Sequence, residues 1–124
     1  MQKEIVYSVE HFYPKHPGHP IAPLTAEYNG YFEKIKGGTD FSPLFVGLPD
    51  DQCQCPHWGY LFKGKLRFIY KDHDEVISAG EAYYAPPGHT VECIEDAETV
   101  EFSPTGGLQQ TLEVAAKNLA ARPL

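Results

Sequence analysis

The sequence predicts an all-β fold, a small antiparallel β-barrel followed by one C-terminal helix. Three observations carry that prediction. Stretches of alternating apolar and polar residues recur along the chain, about eight of them and all short. Eleven Pro and eleven Gly are spread between them and supply turns. Only the tail changes period: Leu108, Leu112, Ala115 and Leu119 fall at helical spacing.

The elements follow in order. Glu4 to Phe12 alternates Ile5, Tyr7 and Val9, and reads as a strand. Tyr13 to Leu24 is rich in proline and reads as an extended arm or loop, because proline blocks a helix. Glu27 to Lys36 is a strand around Tyr28, Tyr31, Phe32 and Ile35, and Lys36-Gly37-Gly38-Thr39-Asp40 is a turn. Phe41 to Leu48 reads as extended. An apolar strand then runs to a glycine hairpin turn at Lys63-Gly64-Lys65, and Leu66 to Tyr70 and Glu75 to Ser78 form a meander. Tyr83-Tyr84-Ala85 leads to a proline corner. Thr90 to Ile94 and Thr99 to Ser103 read as two last strands hinged at Glu95-Asp96-Ala97. Gly106-Gly107 precedes the helix, whose apolar face is expected on the outside of the barrel.

At 124 residues the chain is read as one domain, 1–124, with one core. Within it, 1–40 holds the first strands and the arm, 41–103 the barrel proper, and 104–124 the helix. The net charge is −7 and the arginines are Arg67 and Arg122, which argues against nucleic acid or an anionic membrane as partner. No apolar run reaches the roughly 20 residues of a membrane span. Met1-Gln2-Lys3-Glu4 opens no signal-peptide pattern, so a cytoplasmic location with reduced thiols is expected. Three cysteines are then free thiols or metal ligands rather than disulfides.

Chemistry concentrates in two stretches. The first is Asp51-Gln52-Cys53-Gln54-Cys55-Pro56-His57-Trp58-Gly59-Tyr60, with Cys53, Cys55 and His57 at alternating positions. The second is Gly80-Glu81-Ala82-Tyr83-Tyr84-Ala85-Pro86-Pro87-Gly88-His89. Sulfur and imidazole donors converging from both would make a metal site. An extended chain would hold Cys53 and His57 about 13 Å apart, so sharing an ion requires a bend, for which Pro56 is the natural place. Cys53 and Cys55 are both candidates. Cys93 reads as core, His73 as a surface residue between two aspartates, and Asp51 as part of a solvated turn. His11, His16 and His19 lie in the N-terminal region. Tyr31, Tyr60, Trp58, Tyr83 and Tyr84 read mostly as packing, with one or two at a pocket mouth. No acid/base carboxylate pair, Ser/His/Asp set or phosphate loop is evident.

The two stretches resemble the paired motifs of the cupin superfamily. In the first motif a His-x-His pair is followed by a glutamate and, seven residues on, by a glycine. Taking Gly64 as that glycine puts His57 at the glutamate position, and Asp51 and Cys53 at the histidine positions. In the second motif Gly80, Pro86 and Gly88 match in spacing; Val91 stands at the usual histidine position and His89 lies two residues earlier. The resemblance spans roughly 41–103 and is similar to small single-domain bacterial cupins. It implies a cupin or jelly-roll barrel and a divalent transition metal held by His57, His89 and one or both of Cys53 and Cys55. Mixed sulfur and nitrogen ligands suit Zn²⁺ best, with Fe²⁺, Ni²⁺ or Cu next. A metal-dependent enzyme acting on a small organic molecule, a non-catalytic binding or sensing module, and a metal-free structural barrel all fit the residues. Exposed apolar residues of the first segment lead to the further expectation of a homodimer, with residues 1–35 in its interface.

Overall fold

The computed structural model describes residues 9–12, 21–23 and 27–121, the first two segments by their backbone alone. Seven strands are present among them: β1 (Val9–Phe12), β2 (Ile21–Pro23), β3 (Tyr28–Ile35), β4 (His57–Ile69), β5 (Asp74–Ser78), β6 (Ala82–Ala85) and β7 (Thr90–Pro104). One helix, α1 (Thr105–Ala121), follows. The expected strand at Glu4–Phe12 is seen at Val9–Phe12, and its start lies outside the described residues. Part of the predicted arm, Ile21–Pro23, is extended and pairs with β3 as a strand; the remainder of the arm is not described.

All strands belong to one sheet, with β1, β3, β7, β4 and β5 in order and β2 and β6 added beside β3 and β4. Pairing is antiparallel throughout. Hydrogen bonds do not close the sheet among the described residues, so the expected barrel is a jelly-roll sheet curled over its core.

The long β4–β7 ribbon is its spine. Two predicted turns are absent from it. At Gly64 the sequence suggested a hairpin, but β4 runs straight through. The register with β7 slips between Leu61 and Leu66. Gly64 has φ +88°, and the backbone of Asp96–Ala97 passes so close that a Cβ would have no room. An irregularity of this kind bends and twists a ribbon. It lets the first half of β4 pair with β6 and the second half with β5. The expected hinge at Glu95–Ala97 is likewise strand. Here β3 pairs with Ala97 to Pro104, and backbone bonds from Gly38, Thr39 and Phe41 continue along Cys93 and Val91. Partners on both sides override the weak strand preference of acidic residues.

Phe41 to Leu48 is not extended either. It holds a short 3-10 turn, Ser42–Phe45, and a second, Pro49–Asp51, follows it, each with proline in its first turn. Leu44, Phe45 and Leu48 point into the core from there.

Two buried clusters result. One gathers Ile35, Leu61, Leu66, Phe68, Tyr83, Ala85, Cys93 and Ala97 inside the curl. The other gathers Tyr31, Leu44, Phe45, Leu48, Cys53, Cys55 and Leu108 beneath the helix. Asn118 ties α1 to the first 3-10 turn by donating to Leu44 O (2.7 Å) and Val46 O (2.9 Å). The buried helix positions are Leu108 and Thr111, while Leu112 is 39% exposed. Leu108, Ala115 and Leu119 of the predicted face pack inward, Thr111 joins them and Leu112 falls at the edge; part of this face lines a cavity rather than lying wholly outside. No described helix is long and apolar enough to cross a membrane.

Candidate metal centre

Cys53 and His89 are neighbours before any side chain is considered. Cys53 N donates to His89 O (2.8 Å), and Gly88 N and His89 N donate to Cys53 O (2.8 and 3.2 Å). Gly88 has φ +91°, so the Pro-Pro-Gly corner needs its glycine to present His89 there. His57 opens β4 and pairs with Ala85, four residues before His89. The chain between Cys53 and His57 is not strand. It bends, and Cys53 Sγ comes to 3.7 Å from His57 Nε2. Cys53, His57 and His89 are all buried, with one donor atom of each within 4.8 Å of the others.

The ring nitrogens are already sorted. His89 Nδ1 lies 2.7 Å from Pro86 O, a carbonyl that only accepts, so Nδ1 carries the proton. In the neutral ring the lone pair is then on Nε2, which is buried and without a hydrogen-bond partner. His57 Nδ1 lies 2.7 Å from Ser103 Oγ and 3.7 Å from Glu101 Oε1. The Tyr31 hydroxyl donates to Glu101 Oε1 (3.0 Å) and sits 2.8 Å from Ser103 Oγ. Tyr83 donates to Glu101 Oε2 (2.7 Å). In the neutral ring this order places the His57 proton on Nδ1 and leaves Nε2 facing Cys53.

Charge follows the same layout. Burial raises the Cys53 thiol, but the imidazoles of His57 and His89 outweigh it and bring the pKa down to about 6. Burial lowers His57, but the Glu101 carboxylate and the Cys53 sulfur raise it to about 9. Burial and the nearby Glu101 charge push both Tyr31 and Tyr83 well above the ordinary phenol. These phenols stay protonated and serve as donors.

The predicted residues divide clearly. Cys53, His57 and His89 come together. Cys55, also fully buried, lies outside the cluster: its Sγ faces Pro56 O (3.5 Å) and Pro104 O (3.9 Å) beside Gly107. Cys93 packs in the first core cluster, as expected. Asp51 is an exposed turn residue whose carboxylate caps Gly47 N (2.9 Å). His73 is exposed and bonded to Asp72 (2.7 Å). Val91 lines the cavity wall where the motif usually has histidine. His11, His16 and His19 have no described side chain.

Sequence reasoning missed Glu101, Ser103 and Thr111, whose hydroxyl lies 3.5 Å from Cys53 Sγ. It also read Tyr31 and Tyr83 chiefly as packing. The signal for Glu101 and Ser103 was an inverted alternation: Thr99, Glu101 and Ser103 face inward, while Val100 and Phe102 face out. Gly59 belongs to the same design, because the Tyr83 ring occupies the space its Cβ would need.

A cavity of about 100 Å³ meets the cluster. Its lining includes Cys53, His57, His89, Glu101 and Thr111 at the polar end, and Phe41, Phe45, Leu66, Phe68, Val91 and Leu108 along the walls. Leu112 also lines it and, being half-exposed, marks its rim.

A jelly-roll sheet enclosing a sulfur and two imidazoles at the inner end of an apolar cavity defines a class: a small β-fold protein with a candidate metal centre. Comparison with solved structures narrows the fold. The EutQ protein of Clostridium difficile aligns at TM-score 0.53 and 17% identity, over 77% of this chain and 69% of that one. The conserved SPY1581 protein of Streptococcus pyogenes aligns at 0.52 and 8%, over 84% and 78%. An RmlC-like cupin from Desulfovibrio desulfuricans aligns at 0.50 and 14%, over 79% and 81%. No protein-family model matches the chain, and no curated protein does. At these identities the likeness speaks for the fold alone, and that fold is the cupin jelly roll.

Proposed function

We propose that the chain is a small single-domain cupin, 1–124, that binds one divalent transition metal through Cys53 Sγ, His57 Nε2 and His89 Nε2. The observation that carries this reading is the buried, unpartnered Nε2 of His89. A buried polar nitrogen without a partner is costly, and a bound cation would satisfy it. The spacing supports it too. Zinc bonds of about 2.3 Å to sulfur and 2.0 Å to nitrogen at a tetrahedral angle put S and N about 3.5 Å apart. The distance from Cys53 Sγ to His57 Nε2 is 3.7 Å. Glu101 and Ser103 would act behind His57, and Pro86 O behind His89, as the outer partners that orient ligating imidazoles.

One thiolate and two imidazoles suit Zn²⁺ best, with Fe²⁺, Ni²⁺ or Cu as alternatives. Three protein ligands leave a fourth place toward the cavity, which is the arrangement of a catalytic site. A metal held there would supply Lewis-acid chemistry to a small organic molecule. Cys55 is left out of this ligand set. A second reading, a non-catalytic binding or sensing module, is favoured by one observation. Both Glu101 oxygens are held by tyrosines, so the carboxylate beside His57 is already engaged. The homodimer stays part of the proposal, supported by the aromatic outer face of β4, β6 and β7, where Trp58 is 41% and Phe62 52% exposed.

Elemental analysis of purified, untagged protein tests the metal reading. About one metal per chain is expected, lost in His57→Ala and in His89→Ala. Full occupancy in both variants would overturn it.

A further inference from the structure

The cavity walls define the kind of molecule that belongs beside the cluster. No Lys or Arg lines the cavity among the described residues, whereas Glu101 and Glu33 both do. Glu101 is only 8% exposed. Its two oxygens are held by the hydroxyls of Tyr31 and Tyr83, both neutral donors. The nearest cationic group described is the His57 ring, 3.7 Å away.

The charges disfavour an anionic guest. On the metal reading, which this inference rests on, a divalent ion, the Cys53 thiolate and the Glu101 carboxylate sum to zero, and Glu33 on the same wall adds a further carboxylate. A carboxylate or phosphate guest would leave the buried site with net negative charge, and an uncompensated charge away from water is costly. A site of neutral imidazoles alone would keep its full cationic charge and attract such anions. The remaining walls, Phe41, Phe45, Leu66, Phe68, Val91 and Leu108, offer apolar surface. The cavity volume is about 100 Å³, somewhat less than the cavity of about 150 Å³ that takes benzene.

We propose that this site takes a small, neutral, largely apolar molecule carrying one oxygen or nitrogen donor, no larger than about benzene, and that it rejects carboxylates and other anions. The donor atom sits at the Cys53–His57–His89 end beside Thr111, and the carbon skeleton lies against the apolar walls.

The test uses two probes of one shape and different charge, isobutyramide and isobutyrate, in ligand-observed NMR titrations of metal-loaded protein. The amide should bind about tenfold more tightly than the acid. Glu101→Gln should strengthen isobutyrate and narrow that gap. Leu112→Arg should do the same by placing a cation at the rim, without touching the buried network. Isobutyrate binding as tightly as the amide, no detectable binding of either probe, or a gap that neither variant narrows would each overturn the proposal. Elemental analysis of the same samples keeps the two readings apart. Protein without metal contradicts the metal centre, whereas metal-loaded protein that prefers isobutyrate contradicts only the guest assignment.

Discussion

Cys53 and Cys55 stand two residues apart, and both are almost fully buried, yet their surroundings are opposite. Cys53 sits on the cavity wall, against His57 Nε2 and the Thr111 hydroxyl. Cys55 sits in the packed seam under the start of α1, facing carbonyl oxygens, with Gly107 leaving room for it. Carbonyls can only accept, so they favour the protonated thiol. Burial, with the Cys53 and Glu101 charges, pushes the Cys55 pKa up to about 12, while the imidazoles hold Cys53 at about 6. Burial alone makes a thiol an inert apolar group. Imidazoles beside it favour the thiolate, the form of the group that can ligate a metal.

The largest difference should appear in thiol chemistry. In metal-free protein, Cys53 is a thiolate above about pH 6 and Cys55 stays a thiol until about pH 12. At neutral pH, alkylation of Cys53 should exceed that of Cys55 by on the order of a thousandfold. The Cys53 rate should fall as the pH drops through about 6. Mass spectrometry of timed alkylation reads both sites in one sample, and equal rates would erase the contrast.

The helix above the two sites gives a second comparison. Leu108 is buried beside Cys55, and Leu112 lies at the cavity rim. Leu108→Ala should cost about 3 kcal/mol in chemical denaturation. Leu112→Ala should cost only about 1 kcal/mol, because half-exposed side chains lose less. Between these in size falls Gly59→Ala. Its new methyl would displace the Tyr83 ring, costing about 1–3 kcal/mol by overpacking and detaching Tyr83 from Glu101. Unchanged stability in Gly59→Ala would show that the ring has room to move.

What was legible in the sequence shares one property: it depends on local backbone demand. Gly64, Gly80 and Gly88 have φ of 88°, 89° and 91°, and conformations of that kind favour glycine. The cupin-like spacing of these residues therefore survived in plain view. Cys53, His57 and His89 were found through that frame. The choice between Cys53 and Cys55 was not available, because the alternation argument assumes a strand and the chain from Gln54 to Pro56 is none. Glu101 and Ser103 were hidden for a different reason. Polar residues alternating with Val100 and Phe102 ordinarily face solvent. Here the interior is the polar side, because it serves His57, and the aromatic side faces out. On the helix only Leu112 was misplaced, because Thr111, a polar residue, takes the buried place next to Cys53. The continuity of β4 and β7 depends on partners distant in sequence, which no local pattern announces.

The central claim is that Cys53, and not Cys55, completes a metal centre with His57 and His89. It is tested most directly by metal content in Cys53→Ala and Cys55→Ala, purified side by side with the parent protein. The account predicts about one metal per chain in the parent and in Cys55→Ala, and almost none in Cys53→Ala. Metal retained in Cys53→Ala, or lost in a folded Cys55→Ala, would contradict it.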